Sequence, residues 1–242
     1  MEKVYINWSS GKDAAFALYK IQNEQKFKVE KLVTTINSEV GRVSMHGLRK
    51  ELLIKQAESL QIPLQIIELN GNVSMQTYNA IMKAEVSKLI AEGFTQCVFG
   101  DIFLEDLKEY REKQLAKVGL KAVFPLWGKN TGELMDEFIA EGFKAITVCV
   151  NAKLLDKSFC GRIIDQQFIA DLPKNVDPCG ENGEFHSFVF DGPNFKTPIN
   201  FEIGELVEKY FSPNQDEKDD CFIDKIKSWD TRFWYCDLIS KN

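Results

Sequence analysis

Val4-Tyr5-Ile6-Asn7-Trp8-Ser9-Ser10-Gly11-Lys12-Asp13-Ala14-Ala15-Phe16-Ala17-Leu18 decides how this chain is read. The apolar run Val4 to Ile6 reads as a strand, and Ala14 to Leu18 opens a helix. Between them lies a turn of small polar residues. A strand that turns into a helix N-terminus in this way makes an anion site, because the first amides of the helix have no internal acceptor. Gly11 allows close approach or a positive φ, and Lys12 brings a compact charge suited to phosphate. A Walker A loop would need a glycine five positions before the Gly-Lys pair and Ser or Thr after the lysine. Ile6 and Asp13 stand there instead. The plain alternative is a βα turn capped by Ser9 or Ser10.

Length and composition bound the rest. A chain of 242 residues holds one large domain or two modest ones. Its hydrophobic (44%) and charged (27%) fractions are those of an ordinary globular protein. A net charge of −6 argues against a general nucleic-acid coat while leaving room for a local basic pocket. No apolar run approaches the roughly 20 residues that cross a bilayer. The N-terminus runs straight into a strand without a signal-peptide pattern. No membrane partner and a cytoplasmic location are expected. None of the six cysteines forms a C-x-x-C pair. Cys97 and Cys149 lie in apolar runs and read as core thiols. Cys179 sits in a polar, glycine-rich loop, as a reactive thiol or, the favoured reading, a structural one.

Working outward, strand and helix patterns alternate. Strands are expected at Val29 to Ile36, Leu64 to Leu69, Gln96 to Phe99 and Ala122 to Phe124. Helices are expected on the face marked by Leu48, Leu52, Leu53, Ala57 and Leu60, over Val73 to Ile90, and over Leu104 to Val118. This alternation predicts a parallel sheet with helices on both faces, whose ligands bind beyond the carboxyl ends of the strands. Three such ends are polar: Ser9 to Asp13, the loop Gly41 to Gly47 with Arg42 and His46, and Gly100-Asp101. Asp101 reads as a site residue or as a cap for the following helix. Leu107, Arg111 and Leu115 share a stripe, so Arg111 faces the protein, either paired in the core or, as favoured, aimed into a cleft.

Beyond Pro125 the pattern changes. A helix over Leu134 to Ala140, a strand over Lys144 to Val150 and a helical piece over Asp165 to Ala170 lead to the loop Asp177 to Ser187, then to Phe188-Val189-Phe190. A loop carrying Glu181, Glu184 and His186 into a strand reads as functional rather than as a solvated hairpin loop. The two histidines are far apart in sequence and lack zinc spacing. A Mg²⁺ held partly by phosphates needs few protein ligands and stays open. The acidic run Pro213 to Asp220 reads as a solvated loop. Trp229, Phe233, Trp234 and Tyr235 are expected to pack back on the body.

Ser9 to Asp13 resembles the PP-loop, Ser-Gly-Gly-x-Asp-Ser, of the N-type ATP pyrophosphatases, with Ser10 for a glycine and Ala14 for the last serine. Further blocks follow in order: Gly100-Asp101-Ile102-Phe103 with Arg111, Pro125-Leu126-Trp127, and Gly180-Glu181-Asn182-Gly183-Glu184-Phe185-His186. With these the chain resembles the diphthine–ammonia ligase family from Val4 to about Pro198. The last block is similar to the family's Gly-Glu-Gly-Gly-Glu-Tyr/Phe signature, with Asn182 for a glycine. Arg42 to Gly47 looks like a subgroup variant of the family's loop after strand two, and the chain as a whole resembles a bacterial-type subgroup. Bacteria do not make diphthamide, so a bacterial member would need another acceptor.

The resemblance implies an α/β fold: a Rossmann-like parallel sheet of the adenine nucleotide alpha-hydrolase-like (HUP) kind, with a smaller C-terminal α+β domain. Residues 1–128 would form the PP-loop ATP-binding domain and 129–242 the substrate-binding domain. It implies adenylation of a carboxylate with release of pyrophosphate, then displacement of AMP by ammonia. Ser9, Ser10, Gly11, Lys12, Asp13 and Gly100 would hold ATP. Lys12, Asp13, Asp101 and Arg111 would be catalytic, and Asp13 or Asp101 would hold Mg²⁺ against the phosphates. Arg42, His46, Glu181, Glu184 and His186 would bind the carboxylate substrate, diphthine-like or a metabolite, or steer ammonia. A homodimer is allowed for. Two other readings stay open. One is a PP-loop ATP pyrophosphatase acting on another small metabolite or on tRNA, against which the acidity and the lack of paired cysteines count. The other is a non-catalytic nucleotide-binding protein, which Ser10 and Ala14 keep alive.

Overall fold

The N-terminal apolar run forms β1 (Glu2–Asn7) at the middle of a sheet. A computed structural model describes residues 1–43, 46–71, 73–211 and 231–241. β2 (Phe27–Asn37) pairs parallel with one edge of β1, and β5 (Gln96–Val98) with the other. β4 (Leu64–Leu69) lies outside β2 and β6 (Lys121–Val123) outside β5, both parallel. The two-residue β3 (Arg42–Val43) adds an antiparallel pairing to the end of β2. The chain therefore builds to one side of β1 and then crosses to the other. The strand order reverses at β1, which places the ligand crevice beyond the carboxyl ends of β1 and β5.

Alternation along β1 sends its side chains into two layers. Val4 and Ile6 join the core beneath α1 (Lys12–Asn23) and α2 (Lys50–Leu60). Tyr5 joins a second cluster with Leu89 of α3 (Met75–Ala91) and Leu115 of α4 (Glu105–Ala116). Helices thus cover both faces of a mostly parallel sheet, as the alternating pattern predicts. Among the described residues no helix is long and apolar enough to cross a membrane.

The second half comprises α5 (Thr131–Ala140), β7 (Lys144–Asn151), α6 (Gln166–Asp171), β8 (Phe185–Asp191), β9 (Phe201–Phe211) and β10 (Thr231–Ser240). Its four strands run antiparallel in the order β8-β7-β10-β9. One core spans both halves. Phe16 of α1 packs edge-to-face on Phe138 of α5 at 5.7 Å and on Phe143 at 5.8 Å.

Three local expectations change. His186 and Ser187 lie inside β8, paired with Cys149 and Thr147, because the ladder to β7 begins already at Phe185 and overrides local propensity. Neither Ser9 nor Ser10 caps α1. Gly11 holds the N-cap position without a side-chain bond. Ser10, not Gly11, takes the positive φ (70°), with its hydroxyl donating to the Ser9 carbonyl. The acidic run, Trp229 and Cys221 lie outside the described residues.

A polar side chain on the apolar face of α2 joins the halves. Gln56 is fully buried. Its Oε1 accepts from Trp8 Nε1 at 2.7 Å, and its Nε2 donates to the carbonyls of Ser10 (3.0 Å) and Val189 (2.7 Å). A Gln56→Leu replacement keeps the volume but strands the Trp8 indole N–H. We expect it to cost about 2–4 kcal/mol, because buried polar groups left without partners pay their full desolvation penalty. Urea unfolding checks this, and an unchanged midpoint would refute the brace.

Candidate active site

The loops after β1 and β5 touch. A Cβ on Gly100 would lie 2.7 Å from the Asp13 carbonyl carbon and 2.9 Å from the Ala14 amide nitrogen. Only glycine lets the β5 loop rest on the first turn of α1. Gly11 is also confined, since a Cβ there would lie 3.0 Å from the His46 ring and 3.2 Å from the Ser187 carbonyl.

Lys12 is 3% exposed and places Nζ 2.7 and 2.8 Å from the two Asp13 oxygens. Burial works against its charge, but Asp13, Cys179 and Glu181 outweigh it, and the net shift is upward. Its backbone amide donates to Ser187 Oγ at 3.1 Å. Lys12 is thus charged and tied at both ends, in a loop closed by β8.

Asp101 and Arg111 form a pair, with Nε 2.8 Å from Oδ2 and Nη2 donating to Oδ1 at 3.2 Å. The guanidinium lies 4.3 Å from the Phe99 ring centroid. The favoured reading of Arg111 as open to a cleft is thereby corrected. A largely buried guanidinium beside a buried carboxylate is stable only when paired. Asp101 is not a helix cap, since Leu104 holds that position. Burial raises the Asp101 pKa, Arg111 opposes the rise, and Asp13 adds to it.

Glu181 completes the cluster. Its Oε1 accepts from the Ile102 amide at 2.9 Å. Burial, with Asp13 nearby, pushes its carboxyl up to about 7. Asp13, Asp101 and Glu181 therefore crowd around Lys12 and Arg111. Glu184 is placed differently. It is 1% exposed and braces its own loop, accepting from the amides of Asn182 (2.8 Å) and Asp177 (3.1 Å). Cys179 is buried, donates to the Thr131 carbonyl, and is pushed up to about 12 by burial. That is the structural reading of this thiol.

The two histidines, distant in sequence, meet beside the loop with ring centroids 4.7 Å apart. His46 Nδ1 lies 3.2 Å from the Ser187 carbonyl. A carbonyl only accepts, so Nδ1 carries the proton and Nε2 keeps a lone pair. Burial pushes His46 down to about 4 and His186 to about 3, and the Lys12 charge adds to both shifts. Arg42, from the same loop as His46, turns elsewhere. It donates to the Gly47 carbonyl (2.6 Å) and to Asp237 (2.8 Å). Arg49 holds the same Asp237 at 3.0 and 2.6 Å, and the arginines keep this carboxyl at about 2.

Sequence reasoning missed Gln56, Ser187, Arg49 and Asp237. Gln56 left a signal, a polar residue between Leu52, Leu53 and Leu60 on the apolar face of α2. The others left none, because their partners lie far along the chain. Among the described residues no group of three or more His, Cys, Asp or Glu is arranged to hold a metal. Asp13 and Asp101 are each engaged by a cation. The Asp101 Oδ2 atom nevertheless lies buried without an aligned hydrogen bond. Such a site fits a Mg²⁺ carried in on phosphates better than one held by a protein cage.

Comparison with known proteins adds to this geometry. The diphthamide synthase N-terminal domain family matches residues 2–122, and the diphthamide synthase C-terminal domain family matches residues 130–228. The diphthine–ammonia ligase of Homo sapiens is 28% identical over 167 residues, covering 62% of this chain and 62% of that protein. That of Schizosaccharomyces pombe is 31% identical over 185 residues, covering 70% of this chain and 30% of that protein. That of Bos taurus is 33% identical over 110 residues, covering 43% and 41%. The chain thus matches less than two thirds of the length of these relatives. Among solved structures, a predicted subunit of tRNA methyltransferase from Methanocaldococcus jannaschii aligns with a TM-score of 0.40 at 16% identity, covering 60% of this chain and 77% of that one.

The histidine pair has a pH signature. The folded pKa values lie below the unfolded value of 6.5, so the unfolded chain takes up protons first. The stability is fully present above pH 6.5 and is lost as pH falls toward 4 and 3. In His186→Gln the loss should be shallower by about 1.4 kcal/mol per pH unit, the weight of one proton. Urea unfolding across that window measures it. Equal slopes in both proteins would refute the assignment.

Proposed function

The chain belongs to the diphthamide synthase family, and from that membership we propose that it is an ATP-dependent, amide-forming ligase. ATP adenylates a substrate carboxylate with release of pyrophosphate, and ammonia then displaces AMP. One observation carries the reading: a buried, charged Lys12 at the N-terminus of α1 that meets Asp13 and Glu181, with the Asp101–Arg111 pair next to those two carboxylates, beyond the carboxyl ends of β1 and β5. Residues 1–128 supply the nucleotide side of this site and residues 129–242 the substrate side.

In the first step a carboxylate oxygen of the substrate attacks the α-phosphorus, and the bond to pyrophosphate breaks. Lys12 exchanges Asp13 for the phosphates. Together with the first amides of α1 it stabilises the charge growing on the leaving group. Ser9, Ser10, Gly11 and Gly100 shape the backbone around that group. Mg²⁺ on the phosphates, touched by Asp13 or Asp101, would neutralise part of their charge. Arg111, held by Asp101, orients the cluster.

In the second step ammonia adds to the acyl carbon, AMP leaves, and one proton is released. Glu181, titrating near 7, is matched to take it. His46 Nε2, a neutral acceptor, suits an N–H of ammonia, and His186 backs it. Glu184 acts at one remove, by fixing the loop that presents Glu181. Arg42 lies on the far side of the same loop and is assigned to the more distant part of the acceptor.

The test is a product assay with α-labelled ATP, ammonium and a cell extract lacking the protein. AMP and pyrophosphate are expected. Lys12→Ala should lower their formation by about 100-fold or more. ADP and phosphate would overturn the adenylation reading, and ATP binding without turnover would select the non-catalytic one. A second expectation concerns pH: Glu181→Gln should abolish an inflection in turnover near pH 7.

A further inference from the structure

The second sheet has two outer edges, and they are managed differently. The β8 edge is sewn to the first half, because the Val189 amide donates to the Ser10 carbonyl at 3.1 Å and the Val189 carbonyl accepts from Gln56. The β9 edge has no strand partner among the described residues. It is eleven residues long, with one bulge where Gly204 and Glu205 together oppose Asp237, so the regular ladder runs on from Leu206, and it carries exposed apolar side chains: Ile203 (54%), Leu206 (36%), Val207 (37%) and Tyr210 (63%). A long, apolar edge that no described strand pairs with is a template for another strand unless something blunts it. Its charges do not repel a copy of itself. Glu205 and Lys209 form no ion pair among the described residues, and Val207 lies midway between them.

We propose that β9 pairs antiparallel with β9 of a second copy of this chain, about a two-fold axis at Val207. In that register each Glu205 stands opposite the other copy's Lys209, twice over, and Val207 meets Val207. Residues two apart share a face of a strand, so the three contacts form one row. A two-fold interface must be self-complementary, and this row is. The pairing joins two four-stranded sheets into a continuous one of eight. Glu205, Val207 and Lys209 also line a groove of about 170 Å³ with Arg42, Gly47 and Asp237. Gly47 follows His46, whose ring lies against Gly11, so this groove begins one residue from a side chain that touches the loop after β1. Across the axis the grooves of the two copies run into one another. The inference stands whether or not the ligase reading does, because its readout is mass.

Light scattering after size exclusion, with the full chain, tests it. Twice the chain mass of 27.7 kDa is expected. Glu205→Lys places like charges opposite each other and should weaken the dimer by about tenfold or more. Adding Lys209→Glu restores the complementarity and should return the affinity to near that of the parent. Both positions are exposed, so folding is spared, and circular dichroism checks that. A monomer at all concentrations would overturn the proposal. So would a dimer indifferent to Glu205→Lys, or a double variant no tighter than the single, since each places the contact elsewhere.

Discussion

The turn between β1 and α1 is largely buried, and it satisfies only part of its own polar groups. Ser10 is fully buried and Lys12 nearly so. The Ser10 carbonyl and the Lys12 amide find their partners on β8 and α2: Val189, Ser187 and Gln56. Buried backbone groups without partners are rare because each costs as much as a lost hydrogen bond. The nucleotide-type loop therefore holds its shape only while the second sheet is docked against it. The shared core of Phe16, Phe138 and Phe143 supplies the apolar part of the same junction. Site and inter-sheet seam are one structure.

That seam also explains the electrostatics. Docking β8 and its preceding loop brings Glu181 to Asp13 and Asp101, in a volume that Lys12 and Arg111 alone do not balance. Burial, with the neighbouring carboxylates adding to it, raises the pKa values of Glu181 and Asp101. A cluster so arranged suits a further cation and proton transfer near neutrality. The neighbouring histidines are kept neutral by the same burial and by Lys12.

The loop from Arg42 to Arg49 shows how one short segment can serve two surfaces. His46 turns to the loop between β1 and α1, while Arg42 and Arg49 clamp Asp237 on β10. The carboxylate of Asp237 holds both guanidiniums, so the loop spans from the first sheet to the second. The groove at Gly47 is thus one peptide link from His46.

Local pattern determined much of this protein. The alternation of apolar runs with amphipathic stretches was enough for a parallel sheet covered on both faces, and the small residues before α1 for a tight turn into a helix N-terminus. The polar loops after β1 and β5 stood out because polar, glycine-containing segments at strand ends are visible without partners. Tertiary structure decided the rest. Arg111 reads as inward-facing from its stripe, but its pairing with Asp101 depends on how the β5 loop lies against α4. Glu181 and Glu184 look alike in sequence, yet one faces the cluster and the other ties down its loop. His46 and His186 meet only because the second sheet docks beside the first. Periodicity reports which side of an element is buried, since that is a property of neighbouring residues. It carries nothing about which distant segment comes to lie there, and pairings and pKa shifts are properties of that encounter.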